Sequence, residues 1–198
     1  MLNVRNPFVA RQQNGTDSKP ENQPKRANQQ AAADFLYSLQ NGDERAWQQL
    51  ITEWSPRLFR YVRRQLPSDE DAEDVVSETF SALIKAIKSF DGNAAISTFV
   101  YSIANRKVAD FWRKRKDADE LKEHVATSGP TSQPLELEEA LSTLSENAQK
   151  ALLLRYQMGL SVSEVADVLG RSYKATESLL SRSRSQLQTA LNGDDQDV

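Results

Sequence analysis

Large apolar residues recur along this chain at intervals of three and four in two separate blocks, residues 34–116 and 135–192. That interval places them on one face of a helix, and neither block shows the period-two alternation of a half-buried strand. The expected fold class is therefore all-α, with two small helical domains joined by a flexible linker. Residues 1–33 are rich in Asn, Gln and Pro and hold almost nothing large and apolar after Phe8 and Val9. Such a stretch cannot bury enough surface to offset its ordering entropy, so it reads as a disordered tail. Residues 117–134, with Gly129, Pro130 and Pro134, read as the linker, and 193–198 as a second tail.

In the first block, Phe35, Leu36 and Leu39 precede a break at Asn41-Gly42. Asp43 is a natural N-cap for a helix carrying Ala46, Trp47, Leu50, Ile51 and Trp54. Ser55-Pro56 is expected to kink or restart it, because proline suits a first helical turn and not an interior. Leu58, Phe59, Val62 and Leu66 carry the next apolar face, which Pro67 ends. Ser68 then caps a helix with Asp69, Glu70 and Asp71 in its first turn, where the macrodipole favours negative charge. On that helix Ala72, Val76, Phe80, Leu83 and Ile87 share one face, and Asp71, Asp74 and Glu78 lie opposite. After a loop centred on Asp91-Gly92-Asn93, a helix over about 97–116 buries Phe99, Val100, Ile103 and Phe111. Tyr101, Asn105 and Trp112 project away from that stripe.

The second block begins with Leu135, Leu137, Ala140, Leu141 and Leu144, followed by a helix from Glu146 to Met158 that Gly159 caps. Ser161-Val162-Ser163-Glu164 is a capping box opening a short helix with Val165, Ala166 and Leu169. Gly170 permits a left-handed turn, and Ser172 caps a last helix with Ala175, Leu179, Leu180 and Leu187. A short helix, a glycine turn and a second capped helix make a helix-turn-helix, whose second helix places its first side chains in a major groove. The competing reading is a purely structural hairpin.

Charge sharpens this picture because it is segregated. The 198 residues hold 25 Lys plus Arg against 28 Asp plus Glu, a net charge of −3 that excludes a uniformly basic coat. Residues 69–78 hold six acids and no base, whereas residues 101–116 hold six bases against Asp110. Residues 171–184 hold four bases against Glu177, and residues 117–140 hold seven acids against Lys122. On propensity alone, the acidic cluster is equally a solvated helix start and a docking surface for a basic partner. Aromatic residues interleaved with Asn, Arg and Lys on the basic helix suit base stacking and phosphate neutralisation. With no Cys and His124 as the one histidine, disulfides, thiolate zinc sites and cysteine nucleophiles are excluded, and a histidine-rich metal site or a Ser–His triad is disfavoured. An enzyme built on the acids lacks a pocket signature and a glycine-rich phosphate loop, so neither catalytic residue nor cofactor is expected. No apolar run approaches the ~18 residues of a membrane span, and the amino end lacks a secretory stretch, so the expected location is cytoplasmic.

Three motifs resemble those of bacterial RNA polymerase sigma factors. Asp71-Ala72-Glu73-Asp74-Val75-Val76-Ser77-Glu78-Thr79-Phe80 is similar to the acidic helix of region two. The stretch from Ser97-Thr98-Phe99-Val100-Tyr101 to Asp110-Phe111-Trp112-Arg113 resembles the promoter-melting helix of the same region. Residues 160–170 with 178–184 are similar to region four, and two domains without a third match the extracytoplasmic-function (ECF) group. The resemblance covers residues 34–192 and makes 34–116 region two and 135–192 region four. It implies a factor that binds polymerase core through the clamp and flap of the two largest subunits, recognises promoter DNA and promotes strand opening. It further implies a cytoplasmic protein with an anti-sigma factor among its partners.

By the same resemblance, Asp71, Asp74, Val75 and Glu78 meet polymerase. Asn93, Thr98, Tyr101, Asn105, Arg106, Trp112, Arg113 and Arg115 hold the downstream element, one base flipped and the strand single. Arg171, Ser172, Lys174, Ala175, Glu177, Ser178, Ser181 and Arg182 read the upstream element as duplex. The chain departs from the family pattern at Phe99, at Asn105 (one place early) and at Lys174-Ala175-Thr176-Glu177, so promoter preference does not carry over. The runner-up reading is an autonomous helix-turn-helix regulator with a helical dimerisation domain.

Overall fold

A computed structural model describes residues 22–119 and 135–192, and among them eight α-helices and no strand. Helix α1 spans Asn22–Gln40, which corrects the expected tail: residues 22–33 are helical. Ala31, Ala32 and Ala33 are the strongest helix formers, so the turn nucleated by the packed Phe35, Leu36 and Leu39 extends backwards through them. The rest of that tail, most of the linker (120–134) and residues 193–198 lie outside the described residues.

Helix α2 (Glu44–Arg63) starts at Asp43, whose carboxylate accepts from the Ala46 amide at 2.8 Å. Pro56 sits inside this helix, and the expected break does not occur. Proline there removes one backbone bond, but Trp54, Leu58, Tyr61 and Val62 are buried on either side of it and hold both halves on one axis. Helix α3 (Asp69–Ala86) starts at Ser68, whose Oγ accepts from the Asp71 amide at 3.1 Å. A 3₁₀ turn at Ile87–Ser89 leads to the loop before α4 (Ile96–Asp119). Helices α2, α3 and α4 pack on one another around Leu50, Trp54, Leu58, Leu83, Ile87, Val100 and Val108, and α1 closes one side of α2.

In the second domain, α5 (Leu135–Ser142) and α6 (Glu146–Leu152) lead into a π-helical turn at Leu153–Gln157. The expected 146–158 helix is thus present but widened in its last turn. Gly159, at φ +77°, reverses the chain, and Arg155 donates to the Leu160 carbonyl at 2.8 Å to hold the bend. Helices α7 (Val162–Leu169) and α8 (Tyr173–Asn192) follow, with α8 lying against α5, α6 and α7. The two domains also touch. Helix α4 packs along α7, and buried side chains from both domains form one continuous apolar cluster.

Leu83 is fully enclosed where α3 meets the core. Leu83→Ala is expected to cost ~2–5 kcal/mol through lost burial plus the cavity left behind. The exposed Ser81→Ala on the same helix should stay within about 0.5 kcal/mol of the parent. Urea unfolding followed by helical circular dichroism measures both.

Candidate polymerase and nucleic-acid interfaces

The acidic helix is ordered by its own cap. Ser68 Oγ donates to Asp71 Oδ2 at 2.6 Å, and Asp69 pairs with Arg63 of α2. Asp74 and Glu78 are exposed, whereas Val75, expected at the polymerase surface, is 4% exposed. Its side chain belongs to the floor of a cleft between α3 and α4 rather than to the outer face. Asp71, Asp74 and Glu78 line one wall of that cleft, and Lys107, Phe111, Lys114 and Arg115 line the other. Glu78 bridges the walls, 3.0 Å from Lys107 and 3.9 Å from Lys114. Part of the acidic face is therefore already neutralised from within. The periodicity of α3 hid this, because the cations come from another helix.

The loop before α4 is anchored at its start. Gln40 Nε2 donates to the carbonyls of Ile87 and Phe90, and the Phe90 ring stacks on Phe99 at 4.3 Å between centroids. Asn93 is exposed at the tip, where its backbone amide and side-chain amide both donate to the Asp91 carboxylate. Such an Asx turn holds the loop in one shape. At the far end of α4, Trp112 is 41% exposed, with its indole N–H donating to the Gln65 carbonyl and the Arg115 guanidinium 5.9 Å from its ring centre. Arg106 is exposed, and Arg113 pairs with Asp110 at 2.6 Å.

The middle of α4 corrects the helical projection. Tyr101 does not face outward: it is 2% exposed, edge-on to Tyr61 at 5.1 Å and tilted against Trp54 at 5.7 Å. Thr98 is also 2% exposed, and Asn105 is half-buried. A single apolar stripe assumes one neighbour, whereas α4 lies between α2 and α3 on one side and α7 on the other. Three expected strand-holding residues are thus covered by the second domain. Arg106, Trp112, Arg113 and Arg115 remain on the surface side of α4, with Arg115 half-buried.

The helix-turn-helix is built by short-range bonds. Ser161 Oγ accepts from the Glu164 amide at 3.2 Å, and Glu164 Oε2 accepts from the Ser161 amide at 2.7 Å, completing the capping box. Gly170, at φ +63°, ends α7, and the Arg171 amide reaches back to the Ala166 carbonyl at 2.9 Å. This is a Schellman closure that a residue with a Cβ would strain. Ser172 Oγ then accepts from the Ala175 amide at 3.3 Å. Thr176, Leu180 and Ser183 are buried. Arg171, Ser172, Lys174, Ala175, Glu177, Ser178, Ser181 and Arg182 are all exposed. Eight expected upstream-element residues therefore share one accessible surface. Tyr173, 54% exposed in the same first turn, was missed because an aromatic in a helical pattern reads as core.

Residues 50–118 match the sigma-70 region 2 family and residues 135–187 the sigma-70 region 4 family. The chain is 30% identical over 183 residues to the RNA polymerase sigma factor CnrH of Cupriavidus metallidurans, covering 82% of this chain and 96% of that one. It is 30% identical over 169 residues to the ECF RNA polymerase sigma-E factor of Salmonella typhimurium, covering 75% and 88%. The solved structure of CnrH in complex with the cytosolic domain of CnrY superposes with a TM-score of 0.64 at 25% identity, covering 83% of this chain and 99% of that one. The fold is shared too with sigma factor RpoE of Bartonella quintana in its complex with the anti-sigma factor NepR, at a TM-score of 0.65 and 22% identity over 73% of this chain and 96% of that one. The chain belongs to the ECF sigma factors of bacterial RNA polymerase. Its function is promoter recognition on behalf of that polymerase.

The buried phenols make the α4 packing testable by pH. Burial pushes Tyr101 up to about 12 from the ordinary 10.0, against the partial pull of Arg57 and Arg60, and drives Tyr61 higher still. The unfolded chain ionises these phenols near pH 10 while the folded chain keeps them neutral. Their stabilising contribution is therefore complete below pH 10 and is lost as pH rises toward 12. Phenolate absorbance from these two rings should emerge only together with loss of helical signal, and Tyr101→Phe should remove its share of that alkaline loss. A helical protein with both rings ionised at pH 10 would contradict the packing.

Proposed function

We propose that three surfaces divide the work of initiation among the residues named above. Asp71, Asp74 and Glu78, with Val75 beneath them, engage the basic clamp of polymerase core, while the second domain meets the flap. Asn93, Thr98, Tyr101, Asn105, Arg106, Trp112, Arg113 and Arg115 hold the flipped base and the separated strand of the downstream element. The exposed face of α8, from Arg171 to Arg182, reads the upstream element in duplex form. The chain supplies specificity and no reaction chemistry; polymerase makes the bonds. Among the described residues no helix is long and apolar enough to cross a membrane, and we place the protein in the cytoplasm with the polymerase it serves. CnrH is solved with the cytosolic domain of CnrY and the Bartonella quintana factor RpoE with the anti-sigma factor NepR, and on those precedents we include an anti-sigma factor among the partners.

The observation that carries this reading is the partition of charge over the fold. Six acids crowd the start of α3, six bases line α4 from Tyr101 to Lys116, and the accessible face of α8 is basic on balance. Free duplex competes poorly when the same molecule repels phosphate at one surface and attracts it at another. The deciding experiment is run-off transcription with purified core on promoter fragments. Defined transcripts that depend on this chain support the reading, whereas footprinting of duplex without polymerase supports an autonomous regulator.

Asp74→Lys with Glu78→Lys should weaken core binding about tenfold or more, roughly 1.4 kcal/mol, with helix content unchanged. Equilibrium binding to labelled core measures this, and undiminished affinity would overturn the α3 assignment. Lys174→Ala and Arg182→Ala should weaken upstream-element binding by holoenzyme. A lost base contact costs ~1–3 kcal/mol and relaxes specificity, while a lost phosphate contact lowers affinity evenly across sequences and flattens the salt dependence.

A further inference from the structure

One side chain on the accessible face of α8 carries the wrong sign for a phosphate. Residues 171–184 hold four cations and a single acid, Glu177, which is exposed. Helix-end electrostatics do not account for it. Helix α8 starts at Tyr173 and has no acid in its first turn, so Glu177 stands one turn in, where the macrodipole has largely faded. Nor does a neighbour neutralise it: among the described residues no ion pair holds its carboxylate. Lys174, three places earlier, shares its side of the helix, but a base preceding an acid is the weaker order for a helical pair.

Position gives this carboxylate its chemistry. Thr176, Leu180 and Ser183 are buried and fix which side of α8 faces out. Tyr173, Lys174, Glu177 and Ser178 are left exposed in the first two turns. Those turns of a recognition helix are the part that reaches base edges in the major groove. There a carboxylate, which only accepts, meets two kinds of donor: the cytosine N4 amine and the adenine N6 amine. Adenine sets its N7 acceptor beside N6, which repels the second carboxylate oxygen, whereas cytosine has no acceptor on that edge. Cytosine is therefore the match. Its paired guanine offers two acceptors, O6 and N7, and Lys174 supplies a donor for them. The neighbouring side chains discriminate less. The hydroxyls of Ser178 and Ser181 rotate to donate or accept, and Arg182 Nε is turned back onto the Ser178 carbonyl at 3.3 Å.

We propose that Glu177 selects a C·G pair in the upstream element, accepting from cytosine N4 while Lys174 donates to the paired guanine. The inference rests on the reading of α8 as the helix that meets the upstream duplex, and it adds the base that this helix demands. Where no amine is presented, the carboxylate is left desolvated and unpaired beside phosphates. Glu177 thus rejects wrong elements as well as holding the right one.

The test is transcription by holoenzyme, assembled from core and the full chain, on promoter fragments whose upstream element is randomised. The parent should enrich a C·G pair at one position at least about fivefold. Glu177→Ala should lose that enrichment and keep those at other positions. Glu177→Gln, which donates to N7 and accepts from N6, should move it to A·T. On the selected element, a 2-pyrimidinone nucleotide in place of that cytosine lacks the N4 amine. It should weaken binding of the parent holoenzyme at least about fivefold and leave the Glu177→Ala holoenzyme unaffected. With T·A at the same position, Glu177→Ala should bind more tightly than the parent, because a repelled charge is gone. A residue that only supports the fold gives no such reversal of sign between elements, and circular dichroism checks that both variants keep the helix content of the parent.

Identical selection by the parent and Glu177→Ala would overturn the proposal while leaving α8 as the reading helix. Loss of enrichment at every position in Glu177→Ala would overturn it too, since Glu177 would then orient the helix and not read a base. A parent holoenzyme that enriches nothing would remove the upstream-element reading itself, and this proposal with it.

Discussion

The burial of α4 on two sides is the constraint on which the rest of the structure depends. Tyr101 shows it most directly, with its ring held among Trp54 and Tyr61 of α2 and its hydroxyl on Met158 of the second domain. An aromatic residue of this kind contributes a large apolar body and a polar tip, and here the body belongs to one domain and the tip to the other. Around α4 the buried side chains of both domains form one continuous apolar cluster. The second domain contributes Leu154, Val165 and Leu180 to that cluster. The domains are therefore joined by apolar burial as well as by the polar contacts of Thr98, Tyr101 and Asn105.

Charge plays a different part from burial. The ion pairs between α3 and α4 involve exposed partners, and pairs of that kind are worth little to stability, typically ~0–1 kcal/mol. Their consequence is spatial. Glu78 ties the acidic wall of the cleft to the basic helix, so surfaces of opposite charge lie against each other across the cleft. Charges this close act on one another well within one Debye length, which is ~8–10 Å at cellular salt.

Much of this was legible in the linear order of residues, for local reasons. The caps at Asp43, Ser68, Ser161 and Ser172, and the left-handed turn at Gly170, are interactions over two to five positions, and each lies where its residue type predicts. The exposed face of α8 was legible too, because one neighbouring surface suffices to orient that helix. Local reasoning failed where a second surface intervened. Pro56 should break a helix standing alone, but packing on both sides of it outweighs one missing bond. Tyr101 should face water on a helix with one buried stripe, but α4 has two. Residues 22–33 should lack structure by composition, but an alanine run beside a packed turn propagates it.

The sequence by itself determined the helical class, the boundaries of the capped helices, the helix-turn-helix and the segregation of acid from base. These follow from residue type and from neighbours three or four places away. Only the tertiary structure decided which polar side chains of α4 meet solvent and which meet α7. The residues that cover Thr98, Tyr101 and Asn105 lie 57 to 66 positions away, beyond a linker, and no periodicity in one helix encodes the approach of another.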